Sequence, residues 1–227
     1  MPNYFVTAID TDAGKTIVTG LLGKYLKDKK ADVVTMKLAQ TGCEKVSDDI
    51  LVHRQIMKEE LSVEDREGLT CPYLLKFPAS PHLAADMEGK TIDCDHLVNT
   101  IKALEQKHDQ VLIEGVGGLM VPINHDVLLC DFIQEQQLPV ILVTSGRLGS
   151  INHTLLSLEV MKNRGISLYG LIYNHYPVTE QEITDDSAKV LKKHLSNYFP
   201  NALWGEVPVV HSAEEDICLE ISKWFED

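Results

Sequence analysis

The sequence predicts an α/β fold, a single domain over residues 1–227 in which a mostly parallel sheet carries helices on both faces. Three observations lead there. Runs such as Asn3 to Ile9, Gln110 to Glu114 and Pro139 to Val143 are short and largely apolar without alternation, as expected of strands covered on both sides. The stretches between such runs place apolar residues at helical spacing, and this alternation marks parallel strands joined by crossover helices. No Pro/Gly/Ser-rich or charged linker interrupts the 227 residues, which suffice to bury one full core.

The first strand, Asn3 to Ile9, runs into Asp10-Thr11-Asp12-Ala13-Gly14-Lys15-Thr16. A helix follows, with an apolar stripe of Ile17, Val18, Leu21, Leu22, Tyr25 and Leu26. A loop that opens a helix presents unpaired backbone N–H groups and the positive end of the helix dipole to an anion. Lys15 adds charge, and Thr16 adds a hydroxyl suited to Mg²⁺. The usual phosphate-loop pattern has a glycine five residues before Gly14, where this chain has Ile9. Position outweighs that departure, because the first strand-to-helix turn is where mononucleotide-binding folds hold phosphates. Lys24, Lys27, Lys29 and Lys30 are expected to form a solvated outer face.

Val33 to Met36 reads as the second strand, with Lys37 at its C-terminal end, the edge on which open α/β sheets bind ligands. Gln40-Thr41-Gly42 adds a polar loop at the same edge, which makes Lys37 a functional candidate rather than a merely solvated lysine. Ser47 caps a helix running through Ile56, and Asp48 and Asp49 fall in its first turn, where the dipole favours carboxylates. Residues 58–76 read as irregular. Ser80-Pro81-His82 opens a short helix through Met87, with His82 a weak catalytic candidate, and Asp95 or its neighbour opens a clearer one through Leu104.

Gln110 to Glu114 is a buried strand ending in an acid, followed by Gly115-Val116-Gly117-Gly118. Such a strand delivers one carboxylate to the ligand edge, and the three glycines are expected to allow close backbone approach to a ligand. After the strand ending at Val143, Gly146 to Ser150 turns into a helix carrying Ile151, Leu155, Leu158 and Met161, whose N-terminus is a second potential anion site. Ser167 to Tyr173 is a strand ending at Asn174. A helix over 180–195, a strand over 203–210 and a helix from Glu214 to Phe225 complete the alternation.

Charge and cysteine content exclude several function classes. Thirty-four acidic against 21 basic residues give a net charge of −13, which repels nucleic acid and anionic membrane, so any phosphate site must be local. The five cysteines are odd in number and form no CxxC pair, which suggests neither a disulfide framework nor a zinc site. No basic leader precedes the first strand, and no apolar run approaches the ~20 residues of a membrane span. A cytoplasmic location is the expectation.

Taken in order, Thr11-Asp12-Ala13-Gly14-Lys15-Thr16, Lys37 with Thr41-Gly42, Ser80-Pro81-His82, Glu114 to Gly118 and Leu148-Gly149-Ser150-Ile151-Asn152-His153 resemble the dethiobiotin synthetase family. The resemblance runs from residue 3 to about residue 176 and implies a P-loop NTPase-like fold. It also implies ATP-dependent closure of a urea ring on 7,8-diaminononanoate with CO₂. In that chemistry a substrate amine takes up CO₂ as a carbamate, the carbamate is phosphorylated by ATP, and the second amine closes the ring and releases phosphate.

By position, Lys37 and Lys15 match the family's catalytic lysines, and Thr16, Asp48 and Glu114 its Mg²⁺ ligands, with Asp49 a live alternative to Asp48. Nucleotide contacts fall on Asp12, Ala13, Gly14, Lys15, Thr16, Ile17, Glu114, Gly115, Val116, Gly117 and Asn174. Substrate contacts fall on Thr11, Lys37 and Thr41, and on Gly149, Ser150, Ile151 and Asn152, which would receive the substrate carboxylate from the partner subunit of a homodimer. Asn174-His175 stands where the family has Asn-Asp, and Pro208-Val209 lacks an aromatic residue often found there. Both changes fall where the family holds the nucleotide base, so a weak or altered base preference is implied. The alternative is a switch ATPase of the partitioning type; its signature lysine would stand four residues before Gly14, where this chain has Asp10.

Overall fold

β1 (Tyr4–Ala8) is buried at every position, because its neighbours cover both of its faces. The structure, a computed structural model, describes residues 2–215 together with 217, 219, 221, 224 and 225. The elements that follow are α1 (Lys15–Asp28), β2 (Val33–Lys37), β3 (Gln40–Thr41), α2 (Asp48–Met57), α3 (Val63–Arg66), β4 (Leu74–Leu75), α4 (Pro81–Met87) and α5 (Cys94–Glu105). Then come β5 (Gln110–Gly118), α6 (Leu129–Glu135), β6 (Val140–Ser145), α7 (Ser150–Arg164), β7 (Leu168–Asn174), α8 (Gln181–Tyr198) and β8 (Leu203–Val207).

Six strands form one sheet in the order β2-β5-β1-β6-β7-β8, with every pairing parallel, and β3 pairs with β4 in a small separate sheet. Side chains alternate across the pleat. Phe5 therefore packs toward Phe132 of α6, while Tyr4 packs on the other face, against Phe225, which also meets Tyr25 of α1. Helices thus cover both faces, as the alternation predicts. Phe5 and Val6 are wholly buried, and such side chains each stabilise the fold by roughly 1.5–3 kcal/mol.

Two packing details aim the functional residues. α2 lies close on α1 because Gly20 and Gly23 have no side chains there; a Cβ on Gly20 would come within 2.8 Å of Ile56. On the sheet, Lys37 is in register with Glu114 and Glu114 with Val6, so these side chains share the face that α1 and α2 cover.

Several elements differ from the sequence reading. α6 is an unanticipated helix, held by Phe132 and Ile133 against the core and by Asp131, whose carboxylate accepts from the Leu128 N–H at 2.9 Å. Residues 58–76 contain α3 and β4, the former closed by a capping box between Ser62 and Asp65. β5 continues through the glycines to Gly118 instead of ending at Glu114. Of the helix expected over 214–225, positions 216, 218, 220, 222 and 223 lie outside the described residues, and Ile217, Leu219 and Ile221 are not helical. Cys218 also lies outside them.

Candidate functional site

The carboxyl ends of the parallel strands border a cavity of about 980 Å³. Its floor is the loop after β1. Asp12 stands at φ 60° and Gly14, the N-cap of α1, at φ 97°. A side chain at Gly14 would strike the Asn174 amide, so glycine is required there twice over. Asn174 in turn donates to the Ala13 carbonyl at 3.1 Å and ties the end of β7 to the loop.

Lys15, 7% exposed, reaches back to the Asp10 carbonyl at 3.0 Å. Burial, and after it the Lys37 charge, brings its pKa down to about 8. Lys37, 4% exposed, lines the same cavity and uses all three donors of its ammonium group. It contacts Asp49 at 2.5 Å, Glu114 at 2.8 Å and the Gly115 carbonyl at 3.0 Å. Burial alone would lower Lys37, but the Glu114 and Asp49 carboxylates outweigh it and hold it above the ordinary lysine value. Glu114 is wholly buried, which favours its neutral form. Lys37 and the hydrogen bond with His53 overcome this and keep its carboxyl well below the usual carboxylate range.

Thr16 donates to Glu114 Oε1 at 3.0 Å. Thr16, Asp49 and Glu114 are thus an all-oxygen set on one wall of the cavity, the donor chemistry a hard cation such as Mg²⁺ takes. Among the described residues no group of three or more His, Cys, Asp or Glu side chains is placed to hold a metal alone. A cation here would need the oxygens of a bound phosphate as further ligands, which fits Mg²⁺.

Most of the residues singled out from sequence meet in this cavity: Thr11, Asp12, Gly14, Lys15, Thr16, Ile17, Lys37, Thr41, Glu114, Val116, Gly117 and Asn174 line it. Ala13 and Gly115 stand just behind, each presenting a carbonyl to a lining side chain. Asp48 does not line the cavity. It is exposed at the start of α2, and Asp49, one residue on, is the carboxylate that turns into the cavity. At Gly115 a Cβ would meet Phe5 at 2.7 Å, so packing also requires that glycine.

Gly149, Ser150, Ile151 and Asn152 do not line this cavity within the one chain. Gly149 is the left-handed N-cap of α7, and Asn152 is exposed. Gly149 and Ile151 border a shallow depression with Arg147, Leu148 and Ile183. His82 is also outside the cavity, its ring against His125 at 5.5 Å between centroids. Of Asn174-His175 only Asn174 lines the cavity, because His175 turns away to Glu206 at 2.9 Å.

Sequence reasoning missed His53. It is wholly buried and lies 2.7 Å from Glu114 Oε2 and 3.1 Å from Thr35 Oγ1. Behind it, Arg54 donates to Thr35 Oγ1 at 2.7 Å and to both Asp65 oxygens at 2.8 Å. The available signal was spacing: His53 follows Asp49 by four residues and so lies on the same face of α2.

Comparison with known proteins agrees with this geometry. The family model described as an AAA domain matches residues 2–216. The chain is 48% identical over 201 residues to the ATP-dependent dethiobiotin synthetase BioD 2 of Pasteurella multocida, covering 88% of this chain and 94% of that protein. It is 49% identical over 197 residues to the enzyme of the same name from Haemophilus ducreyi, covering 87% and 93%. Among solved structures, a ParA family ATPase from Chlorobium tepidum superposes with a TM-score of 0.55 at 14% identity, over 93% of this chain and 86% of that one. That likeness concerns the P-loop NTPase fold alone. Among the described residues no helix is long and apolar enough to cross a membrane. A phosphate loop facing a buried lysine–carboxylate cluster, on a chain that matches such enzymes over nearly its whole length, places this protein in the dethiobiotin synthetase family.

Proposed function

We propose that this chain converts 7,8-diaminononanoate, CO₂ and ATP into dethiobiotin, ADP and phosphate, with the cavity above the β1–α1 loop as its reaction site. The observation that carries the reading is the position of Lys37. Its ammonium sits between Glu114 and Asp49 and lines the same cavity as Lys15. A carbamate and a triphosphate are both anions, and two buried cations between which they can meet offset their repulsion. Lys15 and the N-terminal N–H groups of α1 hold the phosphates. Lys37 shifts from its carboxylates to the carbamate and the transferring phosphoryl group.

Thr16, Asp49 and Glu114 would hold Mg²⁺, which supplies charge neutralisation at the phosphates when bound. Thr11 and Thr41 line the end of the cavity where the diamine enters. Its carboxylate is received by Gly149, Ser150, Ile151 and Asn152 of a second subunit in a homodimer, which accounts for their distance from the cavity within one chain. The nucleotide base lies against Asn174, Tyr176 and Val210. No protein nucleophile is required, and the whole of residues 1–227 acts as one domain in a cytoplasmic enzyme.

The test is phosphate release from ATP with and without the diamine, over a range of Mg²⁺ concentrations. Release is expected to depend on the diamine and to accompany dethiobiotin formation; diamine-independent hydrolysis would mark a switch ATPase instead. Asp49→Asn should shift the Mg²⁺ requirement upward, and Asp48→Asn should leave it in place.

A further inference from the structure

Glu114 has two oxygens, and the structure divides them. Oε1 faces the cavity, where Thr16 and Lys37 donate to it at 3.0 and 2.8 Å. Oε2 faces the interior and meets His53 Nε2 at 2.7 Å. The ring's other nitrogen lies 3.1 Å from Thr35 Oγ1, and that same oxygen accepts from Arg54 at 2.7 Å. With the Thr35 oxygen taken by an obligate donor, its own proton is available to His53 Nδ1. Nε2, 2.7 Å from a carboxylate oxygen that can only accept, carries a proton and donates to Glu114. Arg54 is itself fixed by both oxygens of Asp65, which the Thr70 hydroxyl and the Ser62 N–H also hold, at 2.7 and 2.8 Å.

We propose that His53 is a positioning residue for the reaction: through this buried chain it occupies Oε2 and presents Glu114 to the cavity as a one-oxygen ligand for Mg²⁺. The inference rests on the reading of Glu114 as a Mg²⁺ ligand. Its physical basis is that a carboxylate free at both oxygens can rotate, or can engage a cation with both, and either changes the ion's fit. Partners that orient a metal ligand in this way typically contribute about 10–100-fold to metal affinity. A purely structural histidine would instead contribute to folding stability alone.

Three variants separate these outcomes, with Mg²⁺ affinity read from Mg²⁺-dependent binding of a fluorescent, non-hydrolysable ATP analogue, so that turnover is not involved. His53→Leu, which fills the space but donates nothing, should weaken apparent Mg²⁺ affinity by about 10-fold or more. His53→Gln, whose amide can still donate to Glu114, should recover most of it. An unchanged Mg²⁺ affinity in His53→Leu, or equal losses in both variants, would overturn the proposal. Glu114→Gln tests the underlying reading: if it leaves Mg²⁺ affinity unchanged, that assignment fails and the inference with it. If Glu114→Gln shifts it and His53→Leu does not, only the role of His53 fails. Should His53→Leu not fold, nitrogen NMR of the wild-type imidazoles still decides, with the His53 signal assigned by its absence in His53→Gln. A proton on Nε2 is expected, and a bare Nε2 overturns the proposal.

Discussion

α1 and α7 begin with nearly the same backbone: Gly14 at φ 97° and ψ 23°, Gly149 at φ 94° and ψ −15°, neither helix with a side-chain cap. Both therefore offer free N–H groups and the positive end of a dipole. Their surroundings differ. The first opens into a cavity with Lys15 and Lys37 beside it and is tied to β7 by Asn174. The second opens at the surface beside Leu148, which is 94% exposed, with Arg147 drawn away to Asp10. Backbone geometry makes an anion site possible; the side chains around it decide whether one chain completes the site alone.

The sharpest way to break this contrast is to remove the cation that completes the first site. Lys37→Ala should lower dethiobiotin formation by about 100-fold or more. It should also lower the melting temperature, because Glu114 is left buried without its cation, a defect that costs about 3–5 kcal/mol. Adding Glu114→Gln removes the stranded charge, so the double variant should regain much of the stability and none of the turnover. Near-normal activity in either would dissociate Lys37 from the chemistry.

A mixing experiment then tests whether the second helix start serves a neighbouring chain. Inactive Lys37→Ala and inactive Asn152→Asp subunits, unfolded and refolded together, form about half heterodimers by random pairing. Each heterodimer would hold one doubly damaged and one intact pocket, so activity should return to roughly a quarter of wild type if pockets act independently. No recovery, with heterodimers confirmed by native mass spectrometry, would confine the substrate site to a single chain.

The smallest effect compares the two glycines directly. At either position alanine must adopt a left-handed conformation, at a cost of roughly 1–2 kcal/mol. At Gly149 a Cβ meets nothing within 4 Å, whereas at Gly14 it strikes Asn174. Thermal melts should therefore show Gly14→Ala the more destabilised, and only Gly14→Ala should lose ATP binding in a titration of the isolated subunit. Equal losses would mean that the company of the two turns matters less than their shape.

Much of this site was legible because strands deliver residues to a known edge. Lys37 and Glu114 each end an apolar run, and parallel pairing brings such ends together whatever the register in detail. The aspartate register was not legible, because Asp48 and Asp49 are equally good first-turn residues and only the packing of α2 on α1 decides which one faces the cavity. His53 was hidden by its type: on the stripe with Ile50, Ile56 and Met57 it reads as core, and its partner Glu114 is 61 residues away. α6 was missed because its start, Leu128, carries no capping signal, whereas α4, equally short, is announced by Ser80-Pro81. The 149–152 turn carries no sign of its role, because within one chain Gly149 and Asn152 are exposed and the buried Ser150 bonds to Ser145 rather than turning to the cavity.

The burial of the two cavity lysines also bears on how a nucleotide arrives. Lys15 and Lys37 lie inside a molecule of net charge −13, and Glu114 and Asp49 already offset Lys37. Within a screening length of the surface, about 10 Å at 0.1 M salt, an approaching triphosphate meets a net anion, not a basic patch. Its attraction begins only at the mouth of the cavity. Capture should accordingly speed up as salt is added, while the hold on the captured nucleotide weakens, so that association and dissociation rates rise together with ionic strength.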